Sequence, residues 1–150
     1  MARAAEIVAI DRDPRKLEWA ARFGATETAT APPAERRFDF TFDVVGVPET
    51  FEQAVALLDH AGVATLVGLP REGAIAAFGL KDLFDARAQI RVSHGGDMLP
   101  SEDFPKLAAA ALEGRLDLAG MVSRVIGLGE VEEAFAAMAA GDVIRSVVRL

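Results

Sequence analysis

A chain of 150 residues with 51% hydrophobic residues is long enough for one domain with a buried core, and too short for two of ordinary size. Its formal net charge of −7 argues against nucleic acid or an anionic membrane as a partner, because either would need a cationic face. No apolar stretch approaches the roughly 20 residues that span a bilayer and no signal peptide opens the sequence, so we expect a soluble, cytoplasmic protein.

The first element of the sequence is a short apolar strand, predicted over residues 6–10, which ends in the acidic residue Asp11. Asp13 suits the N-cap and Pro14 the first turn of a helix that the pattern predicts up to Phe23. A strand, an acid and a helix in this order are typical of the second strand of a nucleotide-binding βαβ fold, whose terminal carboxylate accepts ribose hydroxyls. The alternatives are an ordinary polar strand end and a class I methyltransferase, which carries an acid at the same position for the ribose of S-adenosylmethionine.

Apolar runs and helical patterns then alternate along the chain. Strands are predicted over residues 26–30, 38–45, 63–69, 89–93 and 143–150. Helices are predicted behind a capping box of Thr50 and Gln53, near residues 81–87, behind a Ser101 cap, and over residues 130–140. Strands joined by helical crossovers predict an α/β fold, a Rossmann-like doubly wound parallel sheet with helices on its faces.

Seven further positions stand near the strand ends at which open α/β sheets place their ligands. Arg12 and Lys16 follow the acid and can cover an adenine or touch its ribose, or they are solvated charges. A glycine at a strand end lets the backbone approach a flat ring, or it marks a plain turn. This applies to Gly46 and to the run Val67, Gly68 and Leu69, and Arg145 before the last strand can reach a pyrophosphate.

Seven parts of the chain carry a family resemblance, at residues 7–11, 16–17 with 22–26, 38–46, 66–70, 114–118, 131–135 and 141–146. In this order and at these spacings they resemble the C-terminal, coenzyme-binding part of the zinc-type medium-chain alcohol dehydrogenases. The resemblance covers the whole chain, and the methyltransferase alternative offers nothing comparable.

This resemblance implies an NAD-binding domain whose parent reaction is hydride transfer between an alcohol and NAD. It implies that Asp11 binds the adenine ribose, that Arg12 lies against the adenine, and that Lys16 lies near the ribose. It also implies that Gly46 borders the cofactor, that Val67, Gly68 and Leu69 line the nicotinamide side, and that Arg145 contacts the pyrophosphate. A homodimer formed through the edge strand from Gln89 to Ser93 is implied as well.

The sequence departs from that family at its beginning. Enzymes of the family carry a catalytic domain with Cys and His zinc ligands, then a first strand and a glycine-rich turn, before the matched region. We therefore expect an N-terminally truncated chain that opens inside its own fold, at the end of the helix behind that turn. With no cysteine and only His60 and His94, we expect no zinc site and no alcohol oxidation by residues 1–150 alone. The alternative function is a non-catalytic nucleotide-binding or oligomerisation module.

Overall fold

The computed structural model describes residues 4–150, so the helix end expected at Met1 to Arg3 lies outside the described residues. The chain divides into two compact units, Met1–Met98 and Leu99–Leu150. The expectation of one domain over residues 1–150 remains a prediction. Within residues 4–150, no helix is long and apolar enough to cross a bilayer.

Strands and helices alternate in the first unit, as the sequence predicts. They are β1 (Val8–Ile10), α1 (Pro14–Arg22), β2 (Glu27–Ala29), β3 (Phe38–Asp43), α2 (Pro48–Ala56), β4 (Leu58–Leu66), α3 (Leu80–Ala86) and β5 (Gln89–Val92). All strand pairs are parallel, with β1 beside β2 in one sheet and the order β3-β4-β5 in the other. The predicted α/β class with parallel strands is therefore confirmed. β1 and β3 belong to different sheets. In the Rossmann strand order 3-2-1-4-5-6, the first strand lies between the two strands that β1 and β3 correspond to.

Helix α1 begins as its sequence predicts. The Asp13 carboxylate accepts the backbone N–H of Arg15 at 3.0 Å, and Pro14 occupies the first turn, where its missing N–H costs no hydrogen bond. Strand β1 starts two residues later than expected. The reason is that the Ile7 N–H donates to the Thr26 hydroxyl at 2.8 Å and not to a strand backbone.

The core of the first unit lies between α2 and the three-stranded sheet. Phe51 and Ala54 of α2 pack with Leu58 and with Ala64, which is fully buried. The Phe51 ring meets the Phe78 ring edge to face, with centroids 5.7 Å apart. Because α2 covers only one face of the sheet, the side chains that β3 directs toward α2 are the buried ones.

Two predicted boundaries around α2 are wrong. The capping box of Thr50 and Gln53 does not form, because the helix starts at Pro48 and Thr50 lies in its first turn. The strand predicted from residue 63 starts earlier than expected, since α2 ends at Ala56 and β4 already begins at Leu58. A Cβ atom at Gly62 would lie 3.1 Å from the Phe38 carbonyl oxygen, so glycine is needed there for the close approach of β3.

Arg36 ties the two sheets of the first unit together at the amino ends of their strands. Its guanidinium pairs at 2.6 Å with Glu6, just before β1, and at 2.6 Å with Glu27 of β2. The same group lies 5.4 Å from the centre of the Phe38 ring, at the start of β3. Hydrogen bonds to Glu27 and then Glu6 raise the pKa of Arg36.

The second unit contains two helices and a two-stranded parallel sheet. Its elements are α4 (Pro100–Leu112), β6 (Arg124–Ile126), α5 (Val131–Ala139) and β7 (Ser146–Val148), and β6 pairs with β7. The predicted Ser101 cap is wrong, because α4 starts one residue earlier, behind Leu99. The Asp103 carboxylate accepts the Leu99 N–H at 2.9 Å and so supplies the cap from inside the helix.

Candidate functional site

Asp11 lies directly after β1, at the carboxyl end of the strand, and about a third of its side chain is exposed. One carboxylate oxygen, Oδ1, accepts the backbone N–H of Asp13 at 2.9 Å, which fixes the orientation of the group. Among residues 4–150, the contact of the other oxygen, Oδ2, is with the Lys16 ammonium at 3.7 Å. That oxygen can therefore still accept a hydrogen bond from a ligand.

Two exposed cations, Arg12 and Lys16, follow this carboxylate in the sequence. Lys16, in the first turn of α1, has nearly half of its side chain exposed and faces Asp11. Arg12 is exposed, whereas the guanidinium of Arg15 is held at 2.9 Å by Asp13. One acid and two exposed cations are suited to binding a ribose hydroxyl beside an aromatic base or a phosphate.

The second group of predicted site residues lies where β3 and β4 end. Gly46 is buried and has a φ of +81°, a conformation that favours glycine. A Cβ atom at Gly46 would lie 2.7 Å from the carbonyl carbon of Gly68 and 2.8 Å from that of Leu69. A Cβ atom at Gly68 would in turn overlap the backbone nitrogen of Gly46. Both positions require glycine because the two turns touch each other through their backbones.

Val67 and Leu69 flank Gly68 with exposed side chains, at 42% and 86% of their full accessibility. The Val67 and Gly68 N–H groups both donate to the Asp43 carbonyl, at 2.8 and 2.9 Å. The turn after β4 is thus anchored by its backbone to the last residue of β3. Its two apolar side chains remain available to a flat ligand at this edge.

The side chain of Asp43 is the feature of this region that the sequence pattern does not identify. It is only 4% exposed, and its carboxylate accepts hydrogen bonds from Val45 N–H at 3.0 Å, Gly46 N–H at 3.1 Å and the Thr50 hydroxyl at 2.9 Å. In the sequence, Asp43 only interrupts an apolar run. A charged residue within the apolar strand predicted over residues 38–45 is the signal that could have identified it, because such a group needs hydrogen-bond partners when it is buried.

Arg145 lies in the second unit, just before β7, and is exposed. Its carbonyl accepts the backbone N–H of Ser123 at 2.9 Å, which fixes the backbone at this point. Asp11 and Lys16 are thus brought together, and so are Gly46, Gly68 and Leu69. Arg145 belongs to a different unit, and its predicted role stays a prediction.

The described residues do not fit a zinc centre. Within residues 4–150, no three His, Cys, Asp or Glu side chains come together in a way that could hold a metal ion. His60 and His94 are exposed, and the chain has no cysteine. No catalytic step through zinc is therefore assigned to these residues.

The chain resembles known proteins in both sequence and fold. The family model described as zinc-binding dehydrogenase matches residues 1–113. The S-(hydroxymethyl)glutathione dehydrogenase of Escherichia coli O1:K1 is 27% identical over 161 residues, which cover 99% of this chain and 43% of that protein. The chain thus spans less than half the length of the curated relatives that it matches.

Solved structures show the same fold. An alcohol dehydrogenase zinc-binding domain protein from Burkholderia ambifaria superposes with a TM-score of 0.92 at 25% identity, covering 98% of this chain and 42% of that one. A zinc-binding dehydrogenase of Sinorhizobium meliloti 1021, whose structure is bound to NADP, superposes with a TM-score of 0.84 at 21% identity, covering 98% and 46%. The Rossmann-like α/β fold expected from the sequence is confirmed by these superpositions.

Proposed function

Because the chain belongs to the zinc-binding dehydrogenase family, we propose that it is the NAD-binding portion of an alcohol dehydrogenase-like oxidoreductase. The reaction of the whole enzyme would be hydride transfer between an alcohol and NAD. We assign that chemistry to the whole enzyme because the described residues offer no zinc ligand set. The contribution of residues 1–150 is to bind and orient the dinucleotide. A cytoplasmic location remains a prediction.

The observation that carries this proposal is the Asp11 carboxylate at the end of β1. Its Oδ2 atom faces Lys16 at 3.7 Å, with no other contact within the described part of the chain, while Oδ1 is held by the Asp13 N–H. A carboxylate held at one oxygen and open at the other can accept a hydrogen bond from a hydroxyl of an adenine ribose without reorganising. In this proposal, Arg12 lies against the adenine and Lys16 lies near the ribose. The remaining proposed contacts are those of Gly46 at the border of the cofactor, of Val67, Gly68 and Leu69 along the nicotinamide side, and of Arg145 with the pyrophosphate.

NAD is preferred to NADP in this proposal, because a 2′-phosphate would stand within a few ångströms of the Asp11 carboxylate. Arg12 is exposed and would attract the same phosphate, so the preference is the net result of one repulsion and one attraction. Calorimetric titration of the 150-residue chain with NAD and with NADP at low ionic strength tests this preference. We expect NAD to bind more tightly, and tighter binding of NADP would overturn it.

A control variant makes the titration specific for the proposed site. Asp39 of β3 is exposed, so Asp39→Asn removes one negative charge away from the strand end at which Asp11 lies. We expect Asp39→Asn to keep both affinities within about twofold, since a solvent-exposed charge is largely screened. If NAD binds neither to the wild type nor to this variant, the dinucleotide proposal itself fails.

We also propose that the chain self-associates through the strand from Gln89 to Ser93, which is the basis of the alternative function as an oligomerisation module. All residues of β5 are exposed, and β5 is the last strand in the order β3-β4-β5. The Ser93 N–H donates to the Leu66 carbonyl of β4 at 2.9 Å. Because N–H directions alternate along a strand, the Val92 N–H points to the open edge. An open edge can pair with the same edge of a second copy.

This alternation provides two matched variants. Val92→Pro removes an N–H group from the open edge and should lower the fraction of dimer with little change in melting temperature. Arg91→Pro removes an N–H group that faces β4 and should lower the melting temperature markedly. Light scattering at rising concentration measures the association. A wild-type chain that stays monomeric at high concentration would contradict the proposal.

A further inference from the structure

Asp43 connects the two turns that end β3 and β4. Its side chain binds the turn that follows β3, through the N–H groups of Val45 and Gly46. Its backbone carbonyl binds the turn that follows β4, through the N–H groups of Val67 and Gly68. One residue therefore fixes both sides of the contact between Gly46 and Gly68.

The carboxylate of Asp43 is fully engaged in this arrangement. Oδ1 accepts from Val45 N–H and from the Thr50 hydroxyl, and Oδ2 accepts from Gly46 N–H. The Thr50 hydroxyl also lies 3.0 Å from the Val47 carbonyl. A hydroxyl has one hydrogen to donate, and the charged carboxylate is the stronger acceptor. Thr50 thus orients the Asp43 carboxylate from the first turn of α2.

We infer that Asp43 is a positioning residue for the nicotinamide half of the dinucleotide. It holds the Gly46 turn and the turn of Val67 to Leu69 at a fixed separation, so that the exposed Val67 and Leu69 side chains present one preformed surface. Asp43 is buried and acts on the ligand only through these turns. The identity of the ligand rests on the proposed function, whereas the coupling of the two turns rests on the hydrogen bonds alone.

Asparagine cannot replace Asp43 without losing a hydrogen bond. Its single carbonyl oxygen can keep the Val45 N–H and the Thr50 hydroxyl, but its NH₂ group then faces the Gly46 N–H, donor against donor. The Gly46 turn is released while the size of the side chain is preserved. Thr50→Val removes the orienting hydroxyl at almost constant shape, and Thr50→Ser retains a hydroxyl and should rescue the effect.

Amide hydrogen exchange tests the coupling without any ligand. In Asp43→Asn and Thr50→Val, we expect the Gly46, Val67 and Gly68 amides to exchange about tenfold faster. Thr50→Ser and the exposed-charge control Asp39→Asn should match the wild type. Faster exchange at Gly46 alone, with Val67 and Gly68 unchanged, would overturn the coupling.

Binding of NAD and of ADP-ribose, which lacks the nicotinamide, tests the consequence for the ligand. Thr50→Val should weaken NAD binding about tenfold and ADP-ribose binding less than twofold. An equal loss for both ligands would show a general structural role and overturn the positioning inference. If the wild type binds neither ligand, both the proposed function and the assignment of Asp43 to the nicotinamide half fail. The amide exchange result still decides whether the two turns are coupled.

Discussion

Asp11 and Asp43 are the same residue type at the same kind of place, the carboxyl end of a parallel strand, yet their surroundings differ completely. Asp11 is one-third exposed, and among the described residues its Oδ2 meets the Lys16 ammonium alone, at 3.7 Å. Asp43 is 4% exposed, and all of its hydrogen-bond donors are neutral groups of its own turn and helix. Asp11 keeps an oxygen for a ligand, whereas Asp43 has both oxygens engaged inside the fold.

The comparison teaches that the position of an acid on the sheet edge does not decide its role. What decides the role is how many of its oxygens the chain itself occupies. A carboxylate that accepts three internal hydrogen bonds stabilises the fold and has little capacity left for a ligand. One that is held at a single oxygen is oriented and still able to bind.

Of the variants that test this comparison, Asp43→Ala is expected to have the largest effect on stability. This change leaves the Val45 and Gly46 N–H groups without an acceptor, whereas the Thr50 hydroxyl can turn to the Val47 carbonyl, and an unsatisfied donor costs about 1–3 kcal/mol. We expect the free energy of unfolding to fall by about 3 kcal/mol or more, measured by urea titration. Asp39→Ala in the same strand should change it by less than about 0.5 kcal/mol. A loss below about 1 kcal/mol for Asp43→Ala would show that its hydrogen bonds are readily replaced by water.

Asp11→Ala should have the opposite profile. Only the Asp13 N–H loses its acceptor in the fold, so we expect the free energy of unfolding to change by at most about 1 kcal/mol. NAD binding should weaken about tenfold or more, because a charge-assisted hydrogen bond to the ribose is lost. NADP should be affected less, since the same change removes the repulsion of the 2′-phosphate. Unchanged NAD affinity, measured by calorimetry, would show that Asp11 is an ordinary strand end.

Asp13 gives a third aspartate and the smallest expected effect. The hydrogen bond from the Arg15 side chain is the main reason that the pKa of Asp13 lies below its ordinary value of 3.8. A lowered pKa in the folded state gives stability that is present above about pH 3.8 and is lost as the pH falls through the lower folded value. Asn keeps the N-cap oxygen without the charge.

The stability difference between wild type and Asp13→Asn should therefore be small at pH 7 and shrink toward zero at the lowest pH values. Urea midpoints of the wild type and of Asp13→Asn, measured from pH 7 down to the lowest pH values, report this stability difference. Asp39→Asn is the matched control. A gap that widens as the pH falls would contradict the assigned sign of the pKa shift.

Local signals in the sequence were sufficient for the elements whose partners are close in the chain. Helix α1 is predicted correctly because its N-cap, its proline and its buried Leu17 all lie within a few residues. The start of β4 at Leu58 was missed because its pairing partner, Phe38, lies in another strand. The cap of α4 was missed since the acceptor for Leu99 comes from Asp103, inside the helix.

The candidate site divides in the same way. Asp11 and Lys16 were proposed from the sequence because only a few residues separate the end of β1 from the first turn of α1. The buried role of Asp43 was missed because its carbonyl bonds to Val67 and Gly68, which come more than twenty residues later in the chain. The sequence shows that Gly46 and Gly68 are glycines, but only the fold shows that they touch each other.

The tie formed by Arg36 determines how the first unit can flex. Arg36 joins Glu6 and Glu27 to the start of β3 at the amino ends of the strands, whereas β1 and β3 share no ladder of hydrogen bonds. Because Arg36 links the two sheets at this end, we expect a change in the angle between them to displace the residues near Arg36 least. The displacement grows with distance along the strands and is largest at their carboxyl ends, between Asp11 and Asp43. A change in the angle between the sheets would therefore displace the proposed ligand contacts more than the residues around Arg36.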